Sequence, residues 1–207
     1  MDVRRSNRFL RFIVKPVLFI IFGASALDLM LGIYLADLGP DAHETLLHTT
    51  GEWALISLTA TLAVTPLTKW LNWSQLANVR RMLGLYVAFY ATMHFWVYLQ
   101  FILGFEWSMI AEELVERPYI SIGFIAWLLL LPLAVTSNNW SMRQLGKKWK
   151  SLHKFSYVIA ILAVWHFTWQ VKLDLIEPFV YIAILTILLI PRLKKLAWRG
   201  RRQLKNG

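Results

Sequence analysis

Two long stretches without any charged side chain constrain the fold of this 207-residue chain more than any other feature. They cover residues 82–105 and 118–142. Each exceeds the ~20 residues that an α-helix needs to cross a hydrocarbon layer ~30 Å thick. Shorter apolar runs repeat the pattern, which predicts an all-α integral membrane protein built as a six-transmembrane-helix bundle. The six spans are predicted near residues 16–36, 48–68, 82–104, 119–137, 153–172 and 177–193.

Charge gives the bundle a predicted orientation. All of the 22 Lys and Arg residues except Arg117 and Lys172 fall in four connecting or terminal segments, namely 1–15, 69–81, 143–154 and 192–207. All of the 12 acidic residues except Asp2 and Asp28 fall in the other connections. Since positively charged loops stay in the cytoplasm, both termini are predicted to be cytoplasmic, which agrees with an even number of spans.

The same distribution predicts one membrane domain over residues 1–207, with short cytoplasmic tails at 1–15 and 194–207. The net charge of +10 does not indicate nucleic acid, because the basic residues cluster at helix ends, where they meet anionic lipid head groups. The chain has no cysteine, so thiolate ligands, Fe–S clusters and disulfides are excluded. No nucleophile–base set stands out, and no internal repeat is evident.

Two histidines lie at matching depths in the predicted bundle. His94 follows the inner boundary at Arg81 by 13 residues, and His166 follows the boundary at His153 by the same number. At 1.5 Å per residue both lie about 20 Å along their helices. Two neutral imidazoles on facing helices can ligate haem iron from both sides. The alternative is a pair of unrelated buried histidines that bond to hydroxyl groups.

The other polar residues of the spans leave several interpretations open. His153 could ligate a second haem at the cytoplasmic side, but 13 residues leave it roughly 140° around the helix from His166. Arg80 and Arg81 could contact a haem propionate or a flavin phosphate. His48 could ligate iron, contact a propionate or cap its helix. Asp28 could be a proton relay or a bonded structural carboxylate.

Several short motifs together resemble a known family. They are His48-Thr49-Thr50-Gly51, Thr65-Pro66, Arg80-Arg81-Met82-Leu83-Gly84-Leu85, His94, Arg117-Pro118-Tyr119-Ile120, Thr136-Ser137, Leu145-Gly146, Trp149, Leu152-His153, Tyr157, His166, Trp169 and Lys172. Their order and spacing are similar to those of the MsrQ family, the haem-binding membrane subunits of bacterial methionine sulfoxide reductase systems. The resemblance covers about residues 45–195.

The resemblance implies a ferric reductase-like transmembrane domain that binds haem b, with His94, His153 and His166 as iron ligands. It implies one haem, with a second left open, and an association with flavin mononucleotide (FMN). It further implies electron transfer across the bacterial inner membrane to a periplasmic molybdopterin-containing methionine sulfoxide reductase, which repairs oxidised envelope proteins. The quinone pool or a cytoplasmic flavin reductase would be the donor.

The chain departs from the wider superfamily at two points. It has one histidine on the third span where the oxidases have two, and it lacks a Gly-rich dinucleotide fingerprint. We therefore expect an electron-transfer subunit without its own NAD(P)H site. The competing interpretations are a cytochrome b subunit of another respiratory quinol oxidoreductase and a non-redox transporter whose histidines relay protons.

Overall fold

The computed structural model describes residues 3–171 and 175–205, with side chains described over 6–106, 108–171 and 175–190. All regular elements in these ranges are helical. The α-helices are α1 (Val3–Phe9), α2 (Lys15–Leu35), α3 (Ala42–Trp70), α4 (Arg80–Val97), α5 (Trp107–Glu116), α6 (Pro118–Val135), α7 (Asn139–Leu145), α8 (Lys147–Leu152), α9 (Phe155–Gln170) and α10 (Ile176–Lys205). A π-helical turn joins α1 to α2, a 3-10 segment precedes α4, and a second π-helical turn follows α4.

Three continuous helical segments are long and apolar enough to cross a membrane: Ser6–Leu35, Ser74–Ile102 and Pro118–Val135. A shorter apolar helix covers Ile176–Ile190. The remaining predicted spans coincide with α3 and α9, of 29 and 16 residues. The all-helical class is confirmed over the described residues, whereas the count of six spans and the orientation stay predictions. Lys172 lies outside the described residues.

Three helix boundaries differ from the predicted ones and affect the candidate residues. α3 begins at Ala42, so His48 lies in its second turn and does not cap the helix. α9 begins at Phe155, which places His153 in the turn between α8 and α9. The acidic connection before α6, which the sequence predicts as a surface turn or a short interfacial helix, forms the helix α5.

Two pairs of helices form the centre of the bundle. α3 packs along α4, α6 packs along α9, and α4 also contacts α6. A core of buried aliphatic residues joins all four helices, and it comprises Leu55, Leu58, Leu62, Val87, Leu130, Leu133, Ile159, Ala160 and Val164. Helix α2 joins this centre from the side, where the buried Tyr90 hydroxyl donates a hydrogen bond to the carbonyl of Phe22. The four central helices therefore position the side chains between them.

Candidate functional site

His94 on α4 and His166 on α9 face each other across the centre of the bundle. Their ring centroids lie 6.2 Å apart, and the ring planes are nearly perpendicular at 82°. The two histidines that the sequence places at the same depth are therefore also close together in space. The structure brings these two predicted site residues together, and His153 lies elsewhere.

A backbone carbonyl fixes the orientation of each ring. His94 Nδ1 lies 2.9 Å from the carbonyl oxygen of Leu47 on α3, and His166 Nδ1 lies 2.7 Å from that of Tyr119 on α6. Because a carbonyl oxygen only accepts, each Nδ1 must carry the proton and donate it. The lone pair of each neutral ring is then on Nε2, the nitrogen that is available to a metal.

Each imidazole also packs directly against a glycine. A Cβ atom at Gly51 would lie 3.0 Å from His94 Nδ1, and one at Gly123 would lie 2.8 Å from His166 Nδ1. Real Cβ contacts are essentially never shorter than 3.0 Å. Glycine at these two positions therefore lets each ring lie against the neighbouring helix backbone, within reach of its carbonyl.

The two helix pairs hold their histidines by the same arrangement. In each pair the accepting carbonyl precedes its histidine by 47 residues. The glycine follows that carbonyl by four residues, one helical turn, in both α3 and α6. The α3–α4 pair and the α6–α9 pair thus present equivalent imidazoles toward a common centre.

A cavity of about 350 Å³ surrounds the two rings. We call the end of the bundle where α3 and α6 begin the outer end, following the predicted orientation. Toward the opposite, inner end the cavity wall is apolar, and it is formed by Leu55, Leu58, Val87, Ala91, Ala126, Leu130, Ile159 and Ala163. Toward the outer end the lining includes polar residues, namely His48, Glu52, Tyr98, Glu113, Arg117, Tyr119, Gln170, Glu177 and Tyr181.

A small polar cluster forms one side of the outer mouth. Arg117 Nη1 lies 3.3 Å from Glu113 Oε2, and the Tyr98 hydroxyl donates a hydrogen bond of 2.8 Å to the same carboxylate oxygen. A hydrogen bond with the Tyr119 side chain, and then the charge of Glu113, raise the pKa of Arg117 above its ordinary value. Arg117 is therefore a permanent positive charge at the mouth. In the sequence it stands out as an exception to the charge distribution and as the first residue of the Arg117-Pro118-Tyr119-Ile120 motif, with no site role predicted for it.

His153 lies in a different environment at the inner end. Its Nε2 is 3.1 Å from Thr136 Oγ1, and its ring stacks on Trp149 with centroids 3.9 Å apart. The Thr136 hydroxyl already donates to the carbonyl of Pro132 at 2.6 Å, so the Nε2–H of His153 must be the donor to Thr136. Burial, and then the charge of Arg80, lower the pKa of His153, which favours the neutral ring.

The remaining predicted site residues are dispersed. Arg80 Nη1 lies 3.4 Å from Thr65 Oγ1, and Arg81 Nη1 lies 2.6 Å from Asn139 Oδ1, both outside the cavity lining. His48 lines the cavity, and its Nε2 lies 3.6 Å from Glu44 Oε1. Asp28 lies on the exposed face of α2. The proposed roles of these residues remain predictions.

The imidazoles of His94 and His166 in this cavity fit an iron ion that is held in a macrocycle. With metal–imidazole bonds of about 2.0–2.1 Å and about 1.1 Å from each nitrogen to its ring centroid, two rings on opposite sides of one metal would be about 6.3 Å apart. The observed separation is 6.2 Å. Within the described residues no cluster of three or more His, Cys, Asp or Glu side chains could hold a metal alone. A macrocycle supplies the four further ligands that two imidazoles lack.

Comparison with known proteins identifies relatives over most of the chain. Residues 50–164 match the family described as ferric reductase like transmembrane component. The protein-methionine-sulfoxide reductase heme-binding subunit MsrQ of Xanthomonas oryzae pv. oryzae is 47% identical over 167 residues, which cover 81% of this chain and 73% of that protein. The protein of the same name from Xanthomonas campestris pv. campestris is 50% identical over 152 residues, covering 73% and 70%. No solved structure matches significantly.

Proposed function

Since the chain belongs to the MsrQ family of ferric reductase-like transmembrane proteins, we propose that it is the haem b-binding subunit of a methionine sulfoxide reductase system. In this proposal it lies in the bacterial inner membrane and passes electrons outward to a periplasmic molybdopterin-containing reductase. That partner would repair methionine sulfoxide in envelope proteins. The donor would be quinol or a cytoplasmic flavin reductase, with FMN as an expected further cofactor.

The observation that carries the proposal is the pairing of His94 and His166 across one cavity. Both rings have their Nδ1 bound by a carbonyl, and both leave the Nε2 lone pair available. Their separation of 6.2 Å suits a single iron between them. We therefore propose His94 and His166 as the axial ligands, and we treat ligation by His153 as a prediction for a separate test.

Bound haem would supply the one-electron chemistry, because iron changes oxidation state without any protein group being transformed. The carbonyls of Leu47 and Tyr119 keep each imidazole in one tautomer and one orientation. The apolar inner wall would keep water away from a bound haem and would lower the dielectric constant around it. The chain thus holds, orients and insulates a redox centre, and its lining residues need no covalent role.

Single histidine variants test the function. We expect His94→Ala and His166→Ala, purified after expression with added haem precursor, to lose the Soret and α bands of a bis-imidazole haem. His43→Ala is the matched control, since His43 lies near the start of α3 beside Phe101, away from the cavity lining. A wild-type protein without these bands, or normal haem content in both variants, would disprove the proposal.

The role in protein repair requires a second measurement. We expect a tagged wild-type chain to copurify with a molybdopterin-containing reductase and to reduce it when its own haem is reduced. Recovery of a quinol dehydrogenase in place of that reductase would indicate the alternative respiratory subunit.

A further inference from the structure

We propose that Arg117 binds a propionate of the haem at the outer mouth of the cavity. The inference rests on the proposed function and adds to it a side chain that recognises the polar edge of the macrocycle. It also assigns a role to one of the two basic residues that lie outside the four basic segments.

The polarity of the cavity decides which way the macrocycle must face. A haem b has one edge with two carboxylates, and its other edges are apolar. The inner wall consists of residues such as Leu58, Val87 and Ile159, which are nearly inaccessible to solvent and cannot solvate a carboxylate. The polar side chains lie at the outer end, so the propionates must point there.

Arg117 is the only Lys or Arg among the described residues that line this cavity. The acidic lining residues Glu52, Glu113 and Glu177 would repel a propionate, so an added carboxylate needs this cation. Its guanidinium has five N–H donors in a planar fork, a geometry that matches a carboxylate. The contact with Glu113 involves one terminal nitrogen, which leaves further donors for a ligand.

Neighbouring groups hold the guanidinium at the mouth. Glu113 is only 15% exposed and is itself bonded by the Tyr98 hydroxyl, whereas Arg117 is 49% exposed. The Glu113 carboxylate is therefore fixed, while the Arg117 guanidinium remains accessible to a ligand. A charged pair in which one member is preorganised loses less side-chain entropy when it binds a ligand.

Arg117 is also close in sequence to the group that orients one iron ligand. The carbonyl of Tyr119, two residues further along the chain, accepts the hydrogen bond from His166. The start of α6 would then contact both the macrocycle edge and the axial ligand. His48 lines the same cavity, but its Nε2 lies 3.6 Å from Glu44 Oε1, a carboxylate that would compete with a propionate for the ring.

The test compares two haems in a set of matched variants. Arg117→Gln, Arg117→Lys and the control Arg143→Gln, which changes an exposed arginine on α7, are purified and reconstituted in nanodiscs. Each receives protohaem or its dimethyl ester, which lacks propionate charges. Haem loss to a globin acceptor is then followed by absorbance. We expect Arg117→Gln to lose protohaem about tenfold faster than wild type, because one charge-assisted carboxylate contact is removed.

The dimethyl ester separates recognition from folding. If Arg117 binds a propionate, Arg117→Gln and wild type should lose the ester at the same rate, and Arg117→Lys should fall between them with protohaem. Equal acceleration with both haems would mean a structural role, and no acceleration would mean no contact. Either result would overturn the inference while leaving the proposed function intact. In this experiment the proposed function would fail if the wild-type chain bound neither haem through His94 and His166.

Discussion

Substitution of the two site glycines by alanine gives a graded test of how the histidines are held. In Gly123→Ala the new Cβ would lie 2.8 Å from His166 Nδ1 and 2.9 Å from Cε1, whereas ordinary contact begins at 3.4 Å. If the ring retreats by about 0.6 Å, the distance from His166 Nδ1 to the Tyr119 oxygen grows from 2.7 Å to about 3.3 Å, beyond the normal range of about 2.7–3.2 Å for an N–H···O hydrogen bond. The bond to the Tyr119 carbonyl should therefore be strained or lost.

The expected change in stability combines two unfavourable contributions with one favourable contribution. Overpacking costs about 1–3 kcal/mol, and the lost hydrogen bond costs about 0.5–1.5 kcal/mol. Alanine stabilises the helix by about 0.5–1 kcal/mol relative to glycine, since it is the better helix former. These ranges combine to a net loss of about 0.5–4 kcal/mol, and a loss near the middle of that range, about 2 kcal/mol, would weaken haem binding about thirtyfold if it is expressed at the ligand.

Two further glycines complete the series. Gly51→Ala places Cβ at 3.0 Å and 3.1 Å from His94 atoms, so its effect should be smaller. Gly84→Ala is the control, because its nearest neighbour, Thr61 Cγ2, lies at 4.0 Å and the helix propensity gain is the same. Haem titration and thermal unfolding of the apoprotein measure the two consequences separately. If Gly123→Ala and Gly84→Ala have the same haem affinity and the same thermal stability, the close packing of the ring has no energetic importance.

Two more predictions concern residues outside the histidine pair. His153→Ala should lower the free energy of unfolding by roughly 1–2 kcal/mol, because it removes the hydrogen bond to Thr136 and the stacking on Trp149. The haem spectrum should be retained. Loss of one spectral component would instead support a second haem at His153. Tyr90→Phe should destabilise the protein by about 1 kcal/mol in a denaturant titration, since a hydroxyl with no solvent access loses its bond to Phe22. Tyr86→Phe, whose bond to the carbonyl of Phe19 is exposed, should have less effect, and the reverse order would contradict this reasoning.

The helical class and the matching depths of His94 and His166 were predictable from sequence because each depends on local information. The length of an uncharged run indicates the length of a span, and a separation of 13 residues from the span boundary indicates the depth of each histidine. The angular argument also anticipated that His153 and His166 would not share a face, and the structure places His153 before α9. Its partner Thr136 could not be predicted, because the bond joins separate helices.

Other parts of the site depend on tertiary packing that the sequence does not encode locally. Gly51 and Gly123 look like ordinary helix glycines until another helix places an imidazole against them. The equivalence of the two helix pairs is equally hidden, because the shared arrangement uses a backbone carbonyl that any residue supplies. Arg117 did leave a signal, namely a basic residue directly before a span in an acidic connection and at the start of a family motif, but neither feature indicates what it contacts.

Each helix pair orients its own imidazole through a hydrogen bond made within that pair. Neither half can enclose a macrocycle alone, so an inserted haem would act as a cross-link between residues 42–97 and residues 118–170. Opening the bundle at the site would then require both the loss of that cross-link and the separation of the aliphatic core that joins the four helices.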